Sequence, residues 1–474
     1  MSFARHTASS FVAFGLPLAV GLIAVPFYLR LLGPELYGAL ILFLAALNFA
    51  GLLDLGAGKA AAFRIARADR RSSQPDEETA ASGMALCLLV CLPILAAIIL
   101  ARDALAPLLP LPAGATLSDM SLALVLGALA IPLVAIMNVL VGVFQGQLRF
   151  FQLNAIQAGG GIAMQLFPLM ACWLIAPTLP VAIAAVLGAR AVQTLVMVRW
   201  RRDRANSAPP SLRPRLAVML DMLRYGRWPA LQFMLASVLT LGDRFIVSHL
   251  GGPAQVTAYA VPFDLANRLM IVAGSVANTL FPSLAGDAGD APRKTRLAVH
   301  SVIALLTPIC IAICLALDPF LRLWIGSELA EAGRMVGELI LVGVWATAVT
   351  AVVQARLMAM ARASALAASY AVQLPLFFLA IYAAYGAFGL VGVAAVWAAR
   401  CYVDAVAAMA MAGDGFAVLR DLAPHAVLLA GALAISALDL PVAARLSALL
   451  VIGGASLVLS RGTIVLVVTR LRHG

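Results

Sequence analysis

Charged side chains are scarce in this sequence. Only 12% of its 474 residues are Asp, Glu, Lys or Arg, whereas 63% are hydrophobic and the mean hydropathy is +1.00. A soluble globular protein typically has about 25% charged and about 45–50% apolar residues. So few polar groups cannot cover a surface that faces water, and the composition therefore predicts an integral membrane protein.

Cysteine and histidine are also few, and their positions argue against metal and catalytic sites. The six cysteines all lie in apolar runs without the C-x-x-C spacing, and the five histidines are scattered. GAGKAA (56–61) fails as a phosphate-binding loop, because Leu53 and Ala60 stand where Gly and Ser or Thr are required. We therefore expect no catalytic residue, no metal and no cofactor.

Acidic residues are outnumbered by basic ones, 22 against 33, which gives a formal net charge of +11. The surplus is concentrated in predicted loops such as residues 64–71 and 199–215, and no nucleic-acid-binding motif accompanies it. Loops that remain in the cytoplasm carry such an excess of Lys and Arg. The charge therefore predicts that both termini are cytoplasmic, and it argues against a nucleic-acid partner.

Hydrophobic runs of spanning length are abundant. A membrane-spanning helix needs about 20 mainly apolar residues, which predicts an all-α protein with about fourteen spans. They are predicted at residues 11–32, 36–58, 80–100, 119–145, 154–176, 180–200, 228–250, 256–283, 297–317, 333–357, 366–387, 389–412, 422–438 and 444–468. The separation of 366–387 from 389–412 has the weakest signal, since only Tyr385-Gly386 and Phe388-Gly389 mark a turn.

A long basic connection at residues 201–227 divides the spans into six and eight, and an internal echo supports that division. LLGPELYGALILF (31–43) resembles HLGGPAQVTAYAVPF (249–263), because each closes an outward helix and turns at Gly-Pro. Two pseudo-symmetric six-helix lobes would share one orientation, related by an axis along the membrane normal. The predicted domains are an N-terminal lobe at 1–200, a basic cytoplasmic linker at 201–227, a C-terminal lobe at 228–412 and two additional helices at 413–474.

Ten of the charged residues inside the predicted spans stand out as candidates for a functional role. At the bilayer centre each costs about 2.5–3.5 kcal/mol, so by default it lines a cavity or has a partner. They are Arg30, Asp54, Arg190, Asp243, Arg244, Asp264, Arg268, Arg400, Asp404 and Arg461. Arginines exceed aspartates by two, and a cavity lined by that surplus would suit an anion. The alternative for Arg30 and Arg461, which lie near helix ends, is contact with lipid headgroups.

Structural explanations are open for several of the others. Arg400 and Asp404 are one helical turn apart and could pair with each other. Asp54 lies near the inner end of span two, where Lys59 or Arg64 could neutralise it.

A hairpin of spans seven and eight would offer another pairing. Asp243 and Asp264 would both lie about 10–12 Å deep. Arg244 could then meet Asp264, and Asp243 could approach Arg268, which makes a neutral structural cluster the alternative to a cavity lining.

Arg190 has no such local explanation. It lies about 15 Å deep in span six, at the membrane midplane, and no acid occupies positions 186, 187, 193 or 194. It is the strongest candidate for an anion-binding residue.

Four stretches resemble bacterial polysaccharide-repeat-unit flippases, which belong to the multidrug/oligosaccharidyl-lipid/polysaccharide exporter (MOP) superfamily. They are PFYLRLLGPELYG (26–38), LLDLGAGKAAAFR (52–64), GDRFIVSHLGGPAQVTAYAVPFDLANRL (242–269) and LFPSLAG (280–286). The resemblance extends over most of the chain. It implies two six-helix lobes, two extra helices and a cationic cavity between the lobes.

The resemblance implies that the chain moves undecaprenyl-diphosphate-linked oligosaccharide, as in O-antigen, exopolysaccharide or lipopolysaccharide synthesis, across the bacterial inner membrane. Its implied partners are that cargo, membrane lipid, a polysaccharide polymerase and a chain-length regulator. A diphosphate cannot cross hydrocarbon unescorted, and the planar fork of arginine fits phosphate oxygens. Alternating access around a site at the midplane would carry the cargo from the cytoplasmic to the periplasmic leaflet.

Roles for the intramembrane charges follow from that cargo. We expect the cationic cavity that binds the diphosphate to be formed by Arg190, Arg30, Arg268, Arg400 and Arg244. We expect ion coupling or charge pairing from Asp54, Asp243, Asp264 and Asp404. Without an ATPase motif the driving force would be an ion gradient, the membrane potential or consumption of the product, and Asp54 and Asp264 are the candidate ion or proton sites.

Three other functions remain open at this stage. A lipid II flippase is similar, since it also has fourteen spans. A drug or metabolite antiporter of the same superfamily would usually have twelve spans, and a surplus of acid would suit cationic drugs. A membrane glycosyltransferase or ligase would need a substantial periplasmic loop or an acidic metal-binding motif, and the sequence has neither.

Overall fold

The chain is almost entirely helical in the computed structural model, which describes residues 3–67, 74–202, 214–271, 273–274, 291–360, 362–413, 415–438 and 441–461. The helices are α1 (Phe3–Ala50), α2 (Ala57–Arg67), α3 (Gln74–Leu105), α4 (Leu117–Gly146), α5 (Phe150–Leu174), α6 (Leu179–Arg202), α7 (Leu216–Leu241), α8 (Asp243–Asn267), α9 (Ala291–Ile325), α10 (Ser327–Ala359), α11 (Ala363–Ala412), α12 (Gly415–Ala437) and α13 (Val442–Ala448). The described ranges contain no strand. The all-α prediction is confirmed.

Ten helical segments within these ranges are long and apolar enough to cross a membrane. Three of them, Gly15–Asp54, Leu231–Asn267 and Ser364–Ala412, have 40, 37 and 49 residues. At about 1.5 Å per residue each is about twice the length needed to cross a hydrocarbon core of about 30 Å. Each of the three is also bent at a glycine, so each accounts for two spans. With α12 in addition, the architecture agrees with about fourteen spans.

The bends at Gly33 and Gly252 have the same backbone conformation. Their φ and ψ angles are 73° and 171° at Gly33, and 80° and 172° at Gly252. A positive φ is costly for residues with a Cβ, so glycine is required at both places. The sequence echo between 31–43 and 249–263 is thus an echo of structure. A third bend, at Gly389 with φ 58°, separates the spans whose boundary had the weakest signal.

One predicted span is wrong in its detail. Span 36–58 ends as a helix at Ala50, because a single 3₁₀ turn and a left-handed Leu55 (φ 51°) precede α2. Span 228–250 contains a one-residue turn at Gly242 between α7 and α8, but the φ and ψ angles there, −70° and −25°, are helical, and Leu231–Asn267 is a single segment of spanning length. After this turn the Asp243 carboxylate accepts a hydrogen bond of 2.8 Å from the backbone N–H of Arg244.

The helices pack into two compact units, residues 1–257 and 258–474. In the first, α4 packs against α2, α3 and α6 around a core that includes Ala135, Val139 and Phe144. A Cβ at Gly142 would collide with the carbonyl oxygen of Gly58, so α4 and α2 cross with their backbones in contact. This crossing positions the polar residues described below.

In the second unit, α10 lies between α9 and α11, and α12 packs on α9. Trp345 and Trp397 are among its largest buried side chains. The six cysteines of the chain are all buried and unpaired, as predicted. The predicted domain boundaries at 200, 227 and 412 were drawn from the repeat in the sequence, whereas the two compact units are defined by packing. These boundaries therefore stay predictions.

Candidate functional site

Asp54 lies in the break between α1 and α2. One of its carboxylate oxygens accepts a hydrogen bond of 2.8 Å from the backbone N–H of Gly56. Gly58, Asn138 and Lys59 lie around the same cavity as this carboxylate. An acid at the start of a helix is favourable, because the helix dipole is positive there. Asp54 is therefore held at the N-terminus of α2.

A cavity of about 210 Å³ adjoins this carboxylate. Its polar lining comes from Asp54, Lys59, Asn138 and Gln145, and Phe233 of α7 closes part of it. The Lys59 ammonium lies 5.2 Å from the centre of the Phe233 ring, within the range of a cation–π interaction. The cavity thus contains one acid, one base and two amides.

Of the two bases expected to neutralise Asp54, only Lys59 is next to it. Arg64 pairs instead with Asp221 of α7, at 2.9 Å between Nη1 and Oδ2. That pair is largely exposed, so it contributes little to stability.

Arg190 lies on α6, and the described residues that contact its guanidinium are neutral. Nη1 lies 3.3 Å from Oε1 of Gln193 and 3.5 Å from the sulfur of Met137. The side-chain amide of Gln193 donates in turn to Oε1 of Gln157 on α5, at 3.2 Å. Nε of Arg190 is buried without a hydrogen-bond partner, and none of the carboxylates that the structure describes lies within 4 Å of this arginine. Its role as an anion-binding residue stays a prediction.

One helix joins the Arg190 cluster to the Asp54 cavity. Met137, which touches Arg190, precedes Asn138 on α4, and the Asn138 side chain donates a 3.0 Å hydrogen bond to the carbonyl of Gly51. The Arg190 cluster and the Asp54 cavity of the first unit thus contact consecutive residues of α4, Met137 and Asn138.

Arg400 and Asp404 form an ion pair on α11, as their spacing allowed, and their predicted roles in cargo binding and ion coupling stay predictions. Asp404 also accepts a 2.7 Å hydrogen bond from the side chain of Gln373, and the Arg400 guanidinium lies over the Phe377 ring. Because their side chains are only 10% and 11% exposed, the pair is buried and well partnered. The charge of Arg400 is therefore neutralised by a carboxylate, whereas the described contacts of Arg190 are neutral.

Arg30 and Arg461 are exposed. Neither forms an ion pair with a residue in the described part of the chain. Arg30 lies three residues before the bend at Gly33, near the end of the first half of α1. Contact with headgroups fits both positions.

The remaining predicted residues are at the two ends of α8. Asp243 and Arg244 are buried, whereas Asp264 is exposed and Arg268 is half-buried. The pairing of Arg244 with Asp264 across a hairpin stays a prediction.

Sequence reasoning missed the amides that surround the charges. Gln157, Gln193 and Asn138 lie inside predicted spans, but the search considered only charged residues. An amide inside an apolar span is costly unless it is hydrogen-bonded, so a search for these residues would have found the neighbours of Arg190 and Asp54.

A second omission is Glu338 of α10, which is 0% exposed. It lies five residues inside predicted span 333–357. An acid inside an apolar span is itself the sequence signal that could have identified this residue. Its Oε1 accepts a hydrogen bond from Ser436 of α12 at 2.7 Å. In the described part of the chain, no three His, Cys, Asp or Glu side chains come together in a group that could hold a metal ion.

Comparison with known proteins agrees with the helical architecture. Residues 3–286 match the family described as "Polysaccharide biosynthesis protein". The chain is 22% identical over 408 residues to the "Putative O-antigen transporter" of Shigella flexneri, an alignment that covers 86% of this chain and 96% of that protein.

Two solved structures share the fold. The lipid II flippase MurJ in an inward closed conformation has a TM-score of 0.72 at 10% identity and covers 97% of this chain and 98% of its own. An inward-facing MATE family transporter of the MOP superfamily has a TM-score of 0.67 at 17% identity and covers 85% of this chain and 97% of its own. These relatives are transporters and flippases, not enzymes.

Proposed function

The chain belongs to the polysaccharide biosynthesis protein family, whose match covers residues 3–286, and on that premise we propose a specific cargo and route. The coarser function is that of a polysaccharide flippase-type transporter of the MOP superfamily. The proposed cargo is an undecaprenyl-diphosphate-linked oligosaccharide repeat unit. It moves from the cytoplasmic to the periplasmic leaflet of the bacterial inner membrane by alternating access.

Arg190 is the observation that carries this proposal. A diphosphate needs cationic groups that are not already neutralised, and Arg190 is bordered by Gln193, Gln157 and Met137 rather than by an acid. Desolvation of an arginine without a carboxylate partner is costly, and a bound phosphate would offset that cost. A phosphate also accepts the two parallel hydrogen bonds that a guanidinium donates.

Asp54 is the proposed coupling residue. It lies beside a polar cavity together with Lys59, and its carboxylate is held by the backbone N–H of Gly56 rather than by a direct ion pair with a described arginine. Such a carboxylate can exchange a proton or a small cation with water in the cavity. Asp404 is a poorer candidate because Arg400 and Gln373 already occupy both of its oxygens.

A lipid II flippase is the second candidate, because the MurJ fold covers 97% of this chain. Both candidate cargoes carry a polyprenyl diphosphate, so Arg190 would suit either one. The sugar attached to it distinguishes them.

The test uses a strain that lacks this gene and is complemented by the full chain. Loss of a repeat-unit flippase should leave polyprenyl-linked repeat units on the cytoplasmic face, with normal peptidoglycan synthesis. Accumulation of lipid II instead would show the second function. Accumulation of neither would refute both.

The proposed orientation has both termini in the cytoplasm, since Lys and Arg are concentrated in the loops on that side. A reporter fused after Gly474 should be active only in the cytoplasm, and periplasmic activity would contradict it. A polysaccharide polymerase and a chain-length regulator are the proposed protein partners.

A further inference from the structure

Glu338 is a buried acid that the proposed transport mechanism does not use. Its side chain is 0% exposed, Oε1 has one hydrogen-bonding neighbour and Oε2 has none. A carboxylate buried with one hydrogen bond is unfavourable, whereas a neutral carboxylic acid is tolerated.

The charged groups around Glu338 come from three helices. Asp318 and Arg322 are on α9, Arg334 is one turn earlier on α10, and Arg445 is on α13. Arg322 and Arg445 both pair with Asp318, at 2.9 Å and 3.4 Å. None of the arginines described in the structure lies within 4 Å of Glu338.

These neighbours act on Glu338 in opposite directions. Arg334 and Arg445 favour a charged carboxylate, whereas Asp318 and the buried environment favour the neutral acid. Neither protonation state is excluded by the surroundings, which is the condition that a proton-exchanging group must meet.

The hydroxyl of Ser436 can form a hydrogen bond with Glu338 whether Glu338 is charged or protonated. Its oxygen lies 2.7 Å from Oε1 of Glu338 and 3.3 Å from the carbonyl oxygen of Cys314 on α9. A hydroxyl has one hydrogen to donate and two lone pairs that accept. When Glu338 is charged, Ser436 donates to it, and the contact with Cys314 carries no hydrogen. When Glu338 is protonated, it donates to Ser436, which donates in turn to Cys314.

We propose that Glu338 is a proton-binding site and that Ser436 changes its hydrogen-bond acceptor from Glu338 to Cys314 when the proton binds. The proton balance is simple. One proton from water forms the O–H bond at Glu338 Oε1, and the Ser436 hydrogen rotates without leaving its oxygen. Protonation therefore adds one hydrogen bond and removes one buried charge.

The site joins α12 to the rest of the second unit. In the charged state Ser436 ties α12 to α10, and in the neutral state the same hydroxyl also ties α12 to α9. Proton binding thus alters how the first of the two additional helices is attached. This inference goes beyond the proposed cargo and holds for any transported molecule.

Infrared difference spectroscopy on the full chain in lipid vesicles tests it. Spectra recorded in mildly acidic and mildly alkaline buffer should differ by the carbonyl band of a protonated carboxylic acid. Glu338→Gln should remove that band, because its amide can donate to Ser436 but cannot titrate. Glu331→Gln, which alters an exposed acid on the same helix, should leave the band in place.

A second variant covers the case in which Glu338→Gln fails to fold. Ser436→Ala should retain the band but move it to higher frequency, because the carboxylic acid loses its hydrogen-bond acceptor. A band that Glu338→Gln does not change, or that is equal at both pH values, would overturn the proposal. An unshifted band in Ser436→Ala would overturn the role of the hydroxyl.

Discussion

Gln193 lies 3.3 Å from the Arg190 guanidinium and donates its own amide to Gln157, so a midspan positive charge ends in a chain of neutral amides. This arrangement makes Arg190 the residue on which the proposed cargo depends. Arg190→Ala should leave the protein abundant while lipid-linked repeat units accumulate on the cytoplasmic face. A hydrogen bond to a charged group contributes about 1.5–3 kcal/mol, so transport should fall about 10- to 100-fold.

Arg190→Lys should be intermediate, because an ammonium cannot form the bidentate fork. Arg102→Ala is the control, since Arg102 is about half exposed in the last turn of α3. Transport by Arg190→Ala at the wild-type rate and abundance would remove this residue from the site.

Gln193→Glu tests the charge of Arg190 without deleting its side chain. The variant has nearly the same shape, but it places a carboxylate next to Arg190 and so neutralises the charge without deleting it. We expect thermal stability to be unchanged or higher and transport to fall by about tenfold or more. Gln193→Leu separates the two effects, because it removes the amide but leaves Arg190 charged. If Gln193→Glu transports better than Gln193→Leu, the charge of Arg190 is not what binds the cargo.

The Arg400–Asp404 pair should matter for stability more than for transport. Arg400→Ala leaves Asp404 buried with only the Gln373 hydrogen bond, and breaking a buried pair from one side costs about 3–5 kcal/mol. The double variant Arg400→Met/Asp404→Leu removes both charges and should recover most of that loss. Thermal unfolding in detergent measures both. An Arg400→Ala protein of normal stability that fails to transport would assign Arg400 to the binding site instead.

Asp421 predicts a pH dependence at the start of α12. Partial burial raises the pKa of this carboxyl, but hydrogen bonds and charge from Arg296 and His300 outweigh it and leave the pKa below its usual value. A carboxyl with a lowered folded-state pKa stabilises the protein above its unfolded pKa, and this contribution is lost as the pH falls through the folded value. Asp421→Asn should therefore lower the unfolding temperature at neutral pH, with a difference that begins to shrink below about pH 4 and disappears once the pH is below the folded-state pKa.

Arg296→Gln is the matched variant, since it removes the strongest partner of the same carboxyl. Its effect and that of Asp421→Asn should not add. A difference between wild type and Asp421→Asn that persists at acidic pH would contradict the ionic origin.

The sequence predicted the bends better than the helix ends. Gly33, Gly252 and Gly389 were visible because glycine punctuates long apolar runs, and two of them precede proline. The break at Asp54 was not predictable from hydropathy, since Leu52, Leu53 and Leu55 continue the apolar run into a turn. What ends the helix there is the carboxylate bonded to the N–H of Gly56, a local contact that hydropathy cannot detect.

Charges were predicted well where their partner is local. Arg400 and Asp404 are one turn apart, so their spacing alone predicted the pair. Arg64 and Asp221 are 157 residues apart in sequence, and only the packing of α2 on α7 brings them together. Glu338 was overlooked although it lies inside predicted span 333–357, and its partner Ser436 is 98 residues away in sequence, so only the packing of α12 brings the two together.

Neighbouring residues of α4 have a mechanical consequence for the first unit. Consecutive positions of an α-helix are about 100° apart around its axis, so Met137 and Asn138 face different partners but cannot rotate separately. A rotation of α4 would change the distance from Met137 to Arg190 and the distance from Asn138 to Gly51 in the same movement. Binding of an anion at Arg190 would then alter the cavity beside Asp54 and Lys59 through movement of α4 as a unit, without a chain of side-chain contacts between the two places.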